Sequence, residues 1–246
     1  MTVEVPDGAR EQLGDAFAPL LRYAELLLTE AVPRGLIGPH EAPRLWDRHL
    51  VNSAAVAPLL PRTGLVVDLG SGAGLPGVVL ALCVPTVRVT LLDATRRRTD
   101  FLSEVVETLG LGDRVSVVWG RAESLPPLGA DVVVARAVAP LSRLAGWGLP
   151  HLIPGGELLA MKGESAAEEL ERDTAELRRL GVAASALVTV GPESDPVRVV
   201  RLTKAARAST RGARPQRATQ PSSPSAGRRR LPRPEAVPAA AKEEAP

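Results

Sequence analysis

Residues 65–77 read LVVDLGSGAGLPG, an order that leaves the chain few folds to adopt. The apolar run Leu65-Val66-Val67 predicts a buried strand. Asp68 follows, then Gly70, Gly72 and Gly74 alternate, and the apolar segment 78–84 predicts a helix. Strand, Gly-rich turn and helix form the first unit of a nucleotide-binding α/β sheet. The glycines allow a sharp turn with positive φ and let a ligand lie against bare backbone.

Two ligand classes fit this loop. Gly72-Ala73-Gly74-Leu75-Pro76-Gly77 satisfies G-x-G-x-x-G, the dinucleotide pattern. With 22 glycines in the chain, that match alone is weak. Asp68 to Gly74 also reads D-x-G-x-G-x-G. A carboxylate at the end of the first strand repels a dianionic pyrophosphate. It suits S-adenosylmethionine, which lacks phosphate and carries a sulfonium and an ammonium. The bland reading is a tight turn with an incidental Asp. The ordered series of strand, acid, three alternating glycines and helix argues against it.

Around this unit the chain divides in three. Residues 1–62 predict a helical cap. Phe17, Leu20, Leu21, Leu26, Leu27 and Leu28 recur at helical spacing, and a second helical segment spans 44–60. Residues 63–204 alternate strand and helix. Strands are expected at 87–92, 115–119, 131–135 and 157–161, with a closing hairpin at 182–190 and 197–202. Helices are expected at 95–109, 141–152 and 165–180, the last opened by a capping box, Ser165-x-x-Glu168. Pro154-Gly155-Gly156 reads as a turn. This is an α/β, Rossmann-like pattern: a mainly parallel seven-stranded sheet with an antiparallel closing strand. Aromatics make up only 2% of residues, so Leu, Val and Ala must build the core.

Residues 205–246 hold nine Arg or Lys, three Glu and seven Pro without hydrophobic periodicity, which predicts a disordered tail. Six of the chain's positive charges are in excess there. With a net charge of +2 overall, the remainder is net acidic by four. Any nucleic-acid site outside the tail must therefore be a local patch. The tail's Arg228-Arg229-Arg230 cluster either touches RNA phosphates or is solvated without a fixed role. A single cysteine, Cys83, permits no internal disulfide, which fits a reducing cytoplasm. Met1-Thr2-Val3-Glu4 carries no signal-peptide pattern, and no apolar run approaches the ~18 residues of a spanning helix. Three histidines and one cysteine form no metal set, so no metal is expected.

Ligands of such sheets sit at the carboxyl ends of the strands. Asp93 ends the second strand, where a carboxylate can accept from ribose hydroxyls or cap the next helix. Arg121-Ala122-Glu123 follows the third strand, beside an adenine or as an exposed loop. Arg136 follows the fourth strand and Lys162 the fifth, each a cleft cation or a peripheral ion-pair partner.

These segments also resemble a family. DLGSGAGLPG, LLDATRRRTDFL, RAES, ARAVAPL and AMKG are similar in order and spacing to the bacterial ribosomal RNA small-subunit methyltransferase G family, also known as glucose-inhibited division protein B. Trp46-Asp47-Arg48-His49-Leu50-Val51-Asn52-Ser53 resembles its helical R-H-x-x-D-S motif. The resemblance spans roughly residues 10–204. It implies methyl transfer from S-adenosylmethionine to N7 of one guanine in 16S rRNA, free or in the small ribosomal subunit. It implies that Gly70 and Leu75, with Asp68, Gly72, Gly74 and Asp93, hold the cofactor. Ala122 and Glu123 would contact adenine and Arg136 would close the site; Lys162, placed at the cleft by topology, would serve the reaction with it. Arg48 and His49 would meet RNA, whereas on the residues alone His49 reads as a helix-face core histidine. A cytoplasmic monomer is expected. Asn52 stands where the family usually has Asp, and Gly35-Leu36-Ile37 replaces its Asn-Leu-Thr.

The chemistry agrees with what the sequence lacks. Guanine N7 has a free lone pair and no proton, so no general base is required. Ala135-Arg136-Ala137 is not the Asn/Asp-Pro-Pro-aromatic signature of exocyclic-amine methylation. Cys83 lies inside a helical segment, which argues against a cysteine adduct. Two other classes stay open on the residues alone: an NAD(P)-dependent oxidoreductase, and a non-catalytic RNA-binding or assembly factor on the same fold.

Overall fold

The computed structural model describes residues 5–193 and 195–206. The expected tail therefore lies almost wholly outside the described residues.

The cap is a string of short helical turns. α1 (Ala9–Leu13) leads into α2 (Phe17–Leu26), which continues as a π-helical turn, Leu27–Ala31. A 3-10 turn, Pro39–Arg44, precedes a second π-helical turn, Leu45–Val51, which runs into α3 (Asn52–Ala54). The expected single helix over 44–60 is thus broken. Its C-terminal part is a separate 3-10 turn, Ala57–Leu59, because Pro58 has no N–H to continue an α-helical ladder.

Seven strands follow: β1 (Gly64–Leu69), β2 (Val87–Asp93), β3 (Val115–Trp119), β4 (Ala130–Arg136), β5 (Leu152–Lys162), β6 (Val182–Val190) and β7 (Val197–Lys204). Their order is β3-β2-β1-β4-β5-β7-β6. β1 to β5 pair in parallel, and β7 runs antiparallel to both β5 and β6. The closing hairpin and its opposed strand are as expected. The crossovers are α4 (Gly77–Cys83), α5 (Arg96–Thr108), α6 (Leu141–Gly148) and α7 (Ala166–Arg179).

Strand alternation splits the core into two layers. Val66, Leu91 and Val134 face the cap, α4 and α5, packing with Leu20, Tyr23, Leu50 and Phe101. Val67, Leu92 and Val133 face the other way, against Leu141, Leu144 and Leu158. The cap thus shares the first layer, and removing a fully buried residue such as Leu50 costs about 2–5 kcal/mol.

Three local expectations change. The helix expected over 141–152 ends at Gly148, tightens into a 3-10 turn, Leu149–His151, at Pro150, and gives way to β5 at Leu152. Pro154-Gly155-Gly156 lies within β5 as an irregularity: the register jumps from Ala130↔Leu152 to Val132↔Glu157. Gly155 takes φ 82, and a Cβ on Gly156 would meet the Asp131 carbonyl at 2.9 Å, so both glycines let the strand bulge against β4. The capping box of α7 does not form. Ser165 has φ −73 and ψ 6, not the extended conformation a cap needs, and its hydroxyl donates to Glu169 Oε1 instead.

Strand order reverses between β1 and β4, so a crevice opens at their carboxyl ends. Among the described residues no helix is long and apolar enough to cross a membrane.

Candidate active site

The Gly-rich loop is braced from behind. Asp68 is fully buried, and its Oδ2 accepts the Gly77 N–H at the start of α4, at 2.9 Å. Its Oδ1 is buried without a partner. Burial pushes the Asp68 carboxyl up to about 7, against the lowering effect of the Gly77 N–H. The carboxylate therefore sits beneath the loop rather than in its open face. Asp93 braces the other side. Its Oδ2 accepts the Gly72 N–H at 3.0 Å and an Arg98 N–H at 3.4 Å, and its Oδ1 accepts the Thr95 N–H at 2.8 Å. Asp93 does not cap α5, whose N-cap is Thr95; it closes the turn before the helix and holds the loop directly.

The glycines do different work. A Cβ on Gly74 would meet the Tyr23 hydroxyl and Val78 at 2.6 Å, so Gly74 makes room for the cap. Tyr23, from α2, donates its hydroxyl to the Ala73 carbonyl at 2.6 Å. Burial raises the Tyr23 pKa well above its ordinary value, so the phenol keeps its proton. A Cβ on Gly70 would meet Val138 at 2.9 Å, in the β4–α6 loop. Gly72 alone is open: nothing but the Gly70 carbonyl lies within 4 Å of a Cβ there, at 3.9 Å. Leu75 is buried beside it. Beyond β3, Ala122 is buried in a 3-10 turn, and its carbonyl pairs with Nε2 of buried His151 at 3.0 Å. Glu123 is exposed, 4.0 Å from Arg121.

Arg136 ends β4 and joins sheet to cap. Its Nη2 donates to Nδ1 of His49 at 2.7 Å, and its Nη1 donates to the Arg48 carbonyl at 3.4 Å. An arginine only donates, so Nδ1 accepts, and Nε2 carries the ring hydrogen, donated to Glu41 Oε2 at 2.8 Å. Burial and the adjacent guanidinium hold His49 below the ordinary histidine range, consistent with a neutral ring. Both nitrogens of His49 are used within the protein. Arg48 beside it is half exposed, 3.9 Å from Glu41. Arg136 makes no ion pair among the described residues, so the peripheral ion-pair reading fails for it.

Lys162 is different. Its ammonium donates to the Ala139 carbonyl and to Glu169 Oε2, both at 2.8 Å. Of the two alternatives for Lys162 the ion pair is present, though largely buried rather than peripheral: α7 brings Glu169 across. The lysine still lines a cleft of about 850 Å³ between the cap and the carboxyl ends of β4 and β5, with Arg48, His49, Arg136 and Arg198. Asn52 closes one rim, donating to Asp195 Oδ2 at 3.3 Å in the β6–β7 loop.

Residues 17–197 match the family model for rRNA small subunit methyltransferase G. The chain belongs to this family. It is 53% identical over 204 residues to the ribosomal RNA small subunit methyltransferase G of Streptomyces coelicolor, covering 79% of this chain and 84% of that one. With the protein of that name from Kineococcus radiotolerans it shares 46% identity over 233 residues, 93% of this chain and 89% of that one. Among solved structures, the S-adenosylmethionine-dependent methyltransferase SibL matches with a TM-score of 0.55 at 19% identity, over 81% of this chain and 71% of that one. That likeness supports the class I methyltransferase fold.

In this member of the methyltransferase G family Asn52 supplies a donor to Asp195, where an Asp would set two carboxylates face to face. Tyr23, Glu41, Glu169 and Asp195 escaped the sequence reading. Tyr23 had one available signal, being the only tyrosine of the chain. Of the other three, Asp195 meets Asn52 from a distant segment, whereas Glu41 and Glu169 pair with His49 and Lys162 only eight and seven positions away, across turns whose geometry the sequence does not set.

Proposed function

We propose that the chain holds S-adenosylmethionine along the open face of residues 70–75 and passes its methyl group to N7 of one guanine in 16S rRNA, free or within the small ribosomal subunit. The observation that carries this reading is the position of Arg136. It stands between the Gly-rich loop, under which Asp68 lies, and a cleft walled by the cap. The residues fit the cofactor: Gly72 presents bare backbone to open space, and Asp68 braces that loop from beneath through Gly77. Asp93, Ala122 and Glu123 stand along the same carboxyl edge, suited to the ribose and adenine ends.

When bound, the cofactor supplies a methyl carbon already activated by its sulfonium. Guanine N7 needs no deprotonation, and the histidine that lines the cleft is not a free base: His49 is tied at both nitrogens. What the residues supply is alignment and exclusion of water. Arg136 keeps further N–H donors for the cofactor carboxylate or the guanine edge, and we weight its role to the cofactor. Lys162, tied to Glu169, sets the cleft wall, and Arg48 offers an exposed cation to phosphate. In this reading the cap, 1–62, is the RNA-facing part of a cytoplasmic monomer and 63–204 the cofactor-binding part.

The test is mass mapping of small-subunit RNA from cells with and without the gene. One guanine should lose one methyl group when the gene is removed. An unchanged modification pattern overturns the assignment.

A further inference from the structure

Trp119 is an exposed tryptophan on a chain that has only three. It is the last residue of the edge strand β3 and is 57% exposed, while Trp46 is buried in the cap. Its ring is nonetheless held. The indole N–H donates to the Ala94 carbonyl at 3.1 Å, and the Arg96 guanidinium lies 5.2 Å from the ring centroid. Arg96 is itself steadied by Asp100 at 2.9 Å. A large aromatic surface is thus oriented in advance and left facing water.

The surroundings are cationic rather than apolar. Arg97 is exposed and makes no ion pair among the described residues. Arg121 is 74% exposed, with Glu123 only at 4.0 Å. Arg98 reaches Asp93 at 3.4 Å. The acids here, Asp93, Asp100 and Glu123, are each engaged with one of these arginines or with the loop. An apolar protein partner would want an apolar rim. A guanidinium-flanked aromatic instead matches the stacking platforms that bind unpaired nucleotides.

The place fits as well. Trp119 pairs in register with Asp93, so it stands at the carboxyl edge that also carries the cleft. Three strand spacings separate β3 from β4, about 14 Å at ~4.8 Å each, a span of roughly four stacked nucleotides.

We infer that Trp119, with Arg96, Arg97 and Arg121, forms a second RNA contact that stacks an unpaired base flanking the target guanine. This rests on the rRNA reading above. The test uses the full chain and a 16S rRNA transcript, with binding measured over a salt series and cofactor affinity by calorimetry. Trp119→Ala should weaken RNA binding roughly tenfold, the scale of one base–aromatic stack, with the salt slope kept. Trp119→Phe should recover part of the loss. Arg97→Ala should lower the salt slope by about 0.7–0.9, one phosphate contact. Methylation by Trp119→Ala should show a raised KM for RNA with an unchanged kcat.

RNA binding by folded Trp119→Ala equal to that of the wild type overturns the platform while leaving the methyltransferase reading intact. Lost cofactor affinity with RNA binding preserved also overturns it, assigning Trp119 to the adenosine end. A wild-type chain that neither binds nor methylates the transcript or small subunits overturns both.

Discussion

The Tyr23 hydroxyl of the cap donates a 2.6 Å hydrogen bond to the carbonyl of Ala73, at the centre of the Gly-rich loop. Cap and loop are thereby one mechanical unit. Tyr23→Phe keeps the ring in its buried place and strands that carbonyl. The expected cost is about 1–3 kcal/mol of stability, with weaker cofactor binding. Thermal denaturation and calorimetry read the two effects. Wild-type values for both would show that the bond does not position the loop.

Gly72 and Gly74 should separate under substitution. Gly72→Val meets open space but forces a β-branched residue to φ 60, a backbone strain of about 1–3 kcal/mol, so the melting temperature should fall modestly while S-adenosylmethionine binding is abolished. Gly74→Ala drives a Cβ into Tyr23 and Val78, so it should lower the melting temperature first. Calorimetry on the folded variants decides, and unchanged affinity in Gly72→Val removes the loop from the cofactor site.

Arg136→Ala should weaken cofactor affinity by on the order of 1–3 kcal/mol, the usual cost of a charge-assisted hydrogen bond. Arg136→Lys keeps the charge but loses the fork, so it should rescue poorly. If affinity holds while methyl transfer falls, the residue orients guanine. Near-normal values for both would confine Arg136 to its contacts with the cap, His49 Nδ1 and the Arg48 carbonyl.

Asp68 makes stability depend on pH in a stated direction. Its folded pKa, about 7, lies above the ordinary value of 3.8. Between those values the folded state binds more protons than the unfolded one, so this group's contribution falls as pH rises from about 4 to about 7 and is level above that. The size is on the order of 2–4 kcal/mol for a fully buried carboxyl. Asp68→Asn keeps an acceptor for Gly77 and should flatten the slope. Urea denaturation across that range measures it, and equal slopes in both proteins would reject the buried titration.

Asn52→Asp would set a second carboxylate against Asp195, which lies 3.3 Å from the Asn52 amide nitrogen. The rim contact should open and the KM for RNA should change. The double variant with Asp195→Asn should restore a donor–acceptor pair and reverse the effect. No change in the single variant would mean that the rim contact has no bearing on the substrate.

The alternation of strands and helices, the antiparallel closing hairpin and the loop at 65–77 were legible along the chain because each is a local pattern. Apolar periodicity, glycine spacing and an acid after a strand act over a few residues and need no partner. The partners themselves were not legible. Asp68 looked like a charge facing the ligand, but burial turned it inward onto Gly77. Lys162 read as either a cleft cation or an ion-pair partner, and only the packing of α7 named Glu169 as its acid. His49 and Arg136, 87 residues apart, share a hydrogen bond only because the cap packs over the end of β4. Hydrophobic burial chose those juxtapositions, and polar groups brought together by it had to be satisfied where they landed.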